Sequence, residues 1–87
     1  MNNEELQKIK DSLILVTVGP WKSFIEGRDH TSGSSFIRTG DPNYDIEFNY
    51  LRPYDQDFIA MSRNIMPELI DEIIRLRKIL TENKINF

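Results

Sequence analysis

The chain has no cysteine and a single histidine, His30. Lacking cysteine excludes a disulfide scaffold, a thiolate metal site and a cysteine nucleophile. It also suits a reducing setting, so a cytoplasmic location is expected. Glycine and proline number four each among 87 residues, and no low-complexity tract or internal repeat appears. No segment approaches the ~20 apolar residues of a membrane span. The acidic start, Met1-Asn2-Asn3-Glu4-Glu5, and the short apolar run Leu13–Val18 do not match a signal peptide. A basic excess is missing as well. Residues 1–44 carry five basic and six acidic side chains, and residues 45–87 carry six and eight, for a net charge of −3. Neutralising a phosphate backbone needs the opposite balance, so nucleic-acid binding is disfavoured. A local patch of Arg63, Arg75, Arg77 and Lys78 is the one place it would have to act.

What is present is ordinary for a folded domain. Apolar residues make up 39% and charged residues 29%, too apolar for a disordered chain. A chain of this length buries roughly 60–65% of its unfolded surface, enough for one modest core. One domain over residues 1–87 is expected.

Asn2 or Asn3 is a good N-cap, with Glu4 and Glu5 in the first turn. Leu6, Ile9 and Leu13 follow at helical spacing, which predicts a helix from about residue 3 to about residue 15. The run Leu13–Val18 is ambiguous, its β-branched residues pointing to strand and its continuity with the helical pattern to helix up to about Leu15; Gly19-Pro20 stops it in either case. Trp21–Arg28 and Ser35–Thr39 read as strands separated by the polar stretch Asp29–Ser34. Gly40-Asp41-Pro42-Asn43 reads as a turn. Asp45–Tyr50 alternates, with Ile46, Phe48 and Tyr50 on one side and Asp45, Glu47 and Asn49 on the other. Such alternation implies an antiparallel sheet with one buried face.

Asp55 reads as the N-cap of a helix carrying Phe58, Met61 and Ile65. Pro67 disfavours helical geometry at Met66, so a break near residues 64–66 and a restart with Pro67 in the first turn are predicted. Asp71 and Arg75 stand at pairing distance along the second helix. The expected fold is α+β, order α-β-β-β-α-α. Its three-stranded antiparallel meander is packed on one face by the N-terminal helix and a C-terminal helix pair.

On the last helix, Leu69, Ile73, Leu76 and Leu80 form a stripe, with Ile70 and Ile74 to one side and Ile79 to the other. The apolar arc spans roughly 220°, against the ~100° that covers one core face. Two explanations fit: a helix sandwiched within the domain, or a surplus face that meets a second chain. The second makes the chain a homo-oligomer through this helix, with Ile70, Ile74 and Arg77 at the interface. A membrane-surface helix is disfavoured because the polar face is not rich in cations.

Reactive groups concentrate only in Glu26–Ser35. His30 as base, Ser32 or Ser34 as nucleophile and Asp29 as orienter would give an acid–base site. Arg28, His30 and Ser34 would give an anionic-ligand site. The competing reading is a solvated hairpin loop fixed by hydrogen bonds to its own backbone. Arg28 and Arg38 would then pair with carboxylates such as Glu26 or Glu47. A single histidine with Asp29, Asp41 and Asp45 is a poor donor set for a transition metal. No cofactor motif is present. Gly33 and Gly40 bracket a serine-rich piece, but no helix follows to complete a phosphate loop. Trp21 reads as a core anchor rather than a stacking platform for bases.

Two stretches look familiar together. Val18-Gly19-Pro20-Trp21 resembles a (T/P)-G-P-W found after an N-terminal helix. Asp57 to Arg63, then Pro67 to Ile73 and Arg75-Leu76-Arg77, resembles D-x-x-F-I-A-x-x-R-x-x-x-P-x-L-(L/I)-x-E-(I/L)-x-R-L-R. Both occur in small phage and prophage proteins, including Ea22-like accessory proteins of lambdoid phages. The likeness covers about a third of the chain. Val18 stands where proline or threonine is usual, and Met61-Ser62 where smaller residues are. The resemblance implies an accessory module without established catalysis, and it supplies no catalytic residue. It also implies that the N-terminal helix, Trp21 and the C-terminal helices belong together.

Overall fold

The computed structural model describes residues 1–84. Its elements run α1 (Asn3–Leu15), β1 (Lys22–Phe24), β2 (Phe36–Arg38), β3 (Asp45–Glu47) and α2 (Pro53–Glu82). The strands form an antiparallel meander in the order β1-β2-β3. The class is α+β. Two compact units share the chain: Met1–Leu15 with the residues from Ile65 onward, and Val16–Asn64.

Local chemistry accounts for the start of α1. Asn2 Oδ1 accepts the backbone N–H of Glu5 at 2.7 Å, and Glu5 Oε1 accepts that of Asn2 at 3.3 Å. This reciprocal pair is a capping box, which satisfies two donors that an uncapped helix leaves bare. Among the described residues of the helical unit, Leu6 of α1 and Ile70 of α2 are buried.

α2 differs from the sequence expectation. The break predicted near residues 64–66 is absent: the helix is continuous, with Pro67 inside it. It also begins at Pro53 rather than after an Asp55 cap, using the first-turn position where proline's missing N–H is harmless. Proline in a helix interior costs about 3 kcal/mol. Local propensity loses here to the tertiary contacts that hold α2 on both sides of the proline: Asn64 to Trp21, and the buried Ile70. The charge pair on α2 is also shifted. Arg75 reaches Glu72 at 2.5 Å, three residues back, rather than Asp71.

In the sheet unit, Ser23, Ile37 and Ile46 lie side by side across the three strands. Strand alternation puts them on one face. Ile37 is fully buried there. The first turns of α2 meet this face through Gln56, which is fully buried, and Ala60 one turn on is buried too. Phe58, Met61 and Ile65, the apolar stripe of that stretch, are exposed instead. The inward side is the more polar one. Gln56 Nε2 lies within hydrogen-bonding distance of Ser23 Oγ at 2.9 Å, Phe36 O at 3.0 Å and Phe24 O at 3.2 Å. This amide caps the β1–β2 pair, because Phe24 and Phe36 are directly opposite.

The strands are shorter than the sequence suggests. β1 ends at Phe24 and β3 at Glu47, and Tyr50 is fully exposed rather than on a buried face. The segment after α1 is tied to α2. Trp21 N–H donates to Asn64 Oδ1 at 2.7 Å, and Asn64 Nδ2 donates to Trp21 O at 2.6 Å. Thr17 O accepts from Trp21 Nε1 at 3.0 Å and Arg63 Nε at 3.2 Å. Gly40 N–H donates to Val18 O at 2.7 Å. A Cβ on Gly40 would sit 2.1 Å from Gly19 O, so only glycine allows this approach.

Candidate functional site

The loop between β1 and β2 is a tied structure. Gly27 adopts φ +81°, a left-handed conformation natural to glycine, and donates its N–H to His30 O at 2.8 Å. Asp29 Oδ2 accepts the Ile25 N–H at 2.8 Å, and Ser35 Oγ accepts that of Glu26 at 3.0 Å.

Arg28 turns to carboxylates rather than to His30 and Ser34. Its Nη1 and Nη2 grip both carboxylate oxygens of Asp57, at 2.8 and 3.0 Å. Its Nε and Nη2 also reach Asp29 Oδ2. Hydrogen bonding to Arg28 is the main force holding the Asp57 and Asp29 carboxyls below their usual range. Arg28 thus pairs with carboxylates, but with Asp29 and Asp57 rather than Glu26 or Glu47. The planar fork pins the loop to α2.

His30 is mostly covered, and its Nε2 is buried without a hydrogen-bond partner. Its ring stands edge-on to Phe36 at 5.1 Å and to Phe24 at 6.1 Å, and those two rings stack at 5.2 Å. Nδ1 accepts the Ser32 N–H at 3.2 Å and lies 2.6 Å from Ser32 Oγ. Glu26 stands 3.5 Å from Nδ1 and accepts the Gly33 N–H at 2.9 Å. Ser34 is exposed. The loop therefore brings His30 together with Ser32 and Glu26, while Arg28 turns to Asp29 and Asp57. Arg38 lies over the Phe24 and Phe36 rings, and Lys22 over Phe24. Among the described residues, no group of three or more metal-binding side chains is assembled.

The second candidate is on α2. Ile70 is 2% exposed, so it has almost no surface left to offer a second chain. This corrects its placement at an interface. Ile74 is partly exposed and lines a groove of about 420 Å³ with Leu6, Lys10, Arg77 and Lys78. Arg77 donates to Asn3 Oδ1 at 2.5 Å and to Met1 O, tying α2 to the start of α1. The surplus apolar face lies elsewhere on the helix. Ile65, Leu69, Leu76 and Ile79 are 38, 50, 46 and 41% exposed. At about 100° per residue they occupy an arc of roughly 80°, set well apart from Ile70 and Arg77. The helical wheel revealed the width of the apolar arc. It could not show which part α1 would take.

No family model, curated protein or solved structure matches the chain. Among the described residues, no helix is long and apolar enough to cross a membrane.

Proposed function

We propose that this chain is a non-enzymatic interaction module that acts through protein–protein contacts and associates with a second copy of itself through the outer face of α2. The observation that carries the reading is the row Ile65, Leu69, Leu76 and Ile79, large apolar side chains left in solvent along one line of a long helix. Isolated surface leucines are commonplace, but four large apolar side chains aligned on one helix face, interrupted only by Glu72, mark a contact surface. A cytoplasmic accessory protein of the phage type that its motifs resemble is consistent with this mode of action and with the absence of cysteine. The alternative, an anionic ligand held by Arg28, His30 and Ser34, has weaker support, because Arg28 already spends its donors on two carboxylates.

The test is size-exclusion chromatography with light scattering on the wild type and on Leu69→Lys/Leu76→Lys. Both positions are solvent-facing, so the double variant should keep its circular dichroism spectrum. The expected result is a dimer for the wild type and a monomer for the variant. A wild type that stays monomeric at high concentration would refute the reading.

A further inference from the structure

We infer that the second copy docks antiparallel, in one register selected by Glu68 and Arg75, so that each α2 lays Glu68 beside Arg75 of the other. This rests on the self-association proposed above and adds its geometry.

The exposed row has a heptad rhythm. From Ile65 the steps run four, three, four and three, to Leu69, Glu72, Leu76 and Ile79. Alternating steps of three and four form the seam of a two-helix coiled coil. The seam is apolar except at Glu72, which is exposed and held by its own Arg75. The positions just before the Leu69, Leu76 and Asn83 seam positions are Glu68, Arg75 and Glu82, a row of alternating charge flanking the seam. Flanking charges of this kind set partner orientation.

A parallel pair would put Glu72 opposite Glu72 in one layer of the seam. Like charges directly opposed are unfavourable. An antiparallel pair with Leu69 opposite Glu72 avoids this. Ile65 then faces Leu76 of the second copy, and the two Glu72 side chains fall in adjacent layers, each still beside its own Arg75. In this register Glu68 of each copy flanks Arg75 of the other, giving two cross-pairs by symmetry. Sliding one heptad one way sets Arg75 against Arg75 and Glu68 against Glu82. Sliding the other way sets Glu68 against Glu68. Of these three registers, only one is complementary in charge.

The test mixes two charge-reversed chains. Glu68→Arg alone and Arg75→Glu alone each turn two attractions into two repulsions, which should weaken self-association about tenfold in a dilution series by sedimentation equilibrium. An equimolar mixture of the two should recover near-wild-type association, because each chain supplies the charge the other lacks. Association lost in both singles and restored in the mixture is the expected result. If Leu69→Lys/Leu76→Lys abolishes a wild-type dimer but the mixture gains nothing over its components, the register is wrong and the α2 contact stands. If the wild type never associates, both fall.

Discussion

Two side chains carry more of the sheet unit than their chemistry suggests. Gln56 is a fully buried amide whose Nε2 group faces the carbonyls of Phe24 and Phe36. Replacing it by leucine keeps the volume and removes the donors. The Gln56→Leu variant should lose about 1–3 kcal/mol for each part-buried carbonyl left unsatisfied, offset in part because leucine also removes Gln56 Oε1, a buried acceptor without a partner, as urea denaturation would read. The second is Arg28. Its bonds lower the proton affinity of Asp29 and Asp57 in the folded state. A folded carboxyl below its unfolded value adds stability that is complete above the unfolded value and disappears as pH falls through the folded one. Stability should therefore decline as pH drops through and below the ordinary carboxylate value of 3.8. Arg28→Met should flatten that decline, as thermal melts across the acid range would show. An equal slope in the variant would remove Arg28 as its cause.

At the scale of elements, α2 is where local rules and tertiary structure part. Pro67 removes the N–H that would bond to Arg63 O, yet the helix runs through it. Pro67→Ala should restore that bond and raise the melting temperature, partly offset by about 0.4–1 kcal/mol of added unfolded-chain entropy. A lower melting temperature would mean that the proline ring contributes packing that alanine cannot replace. The start of α1 was legible because its cause is local: Asn2 and Glu5 cap each other within one turn. The strand order was legible from the alternation around Ile46 and the turn residues between strands. Continuity through Pro67 was not, because proximity to Pro67 alone argued for a break. Nor was Gln56, a polar residue whose inward direction makes sense only once the β1 and β2 carbonyls are placed. In the loop, spacing placed His30 near serines and Arg28, but the pull of Asp57, 29 residues away, takes Arg28 elsewhere. The close contact of Gly40 with Gly19 was equally hidden. Gly40→Ala should destabilise by about 1–3 kcal/mol, since its Cβ meets backbone rather than a flexible side chain.

For the molecule as a whole, exposure decides between the two explanations that the wide apolar arc of α2 left open. The roughly 220° apolar arc of α2 divides into a covered side, with Ile70, and an open side, with Ile65, Leu69, Leu76 and Ile79. Interaction through the open side is the central claim, and sedimentation equilibrium of the intact chain tests it most directly. The expected result is a reversible monomer–dimer equilibrium that Leu69→Lys/Leu76→Lys shifts wholly to monomer while Ile74→Lys, on the α1 side, does not abolish it. A concentration-independent monomer, or a dimer indifferent to Leu69 and Leu76, would contradict it.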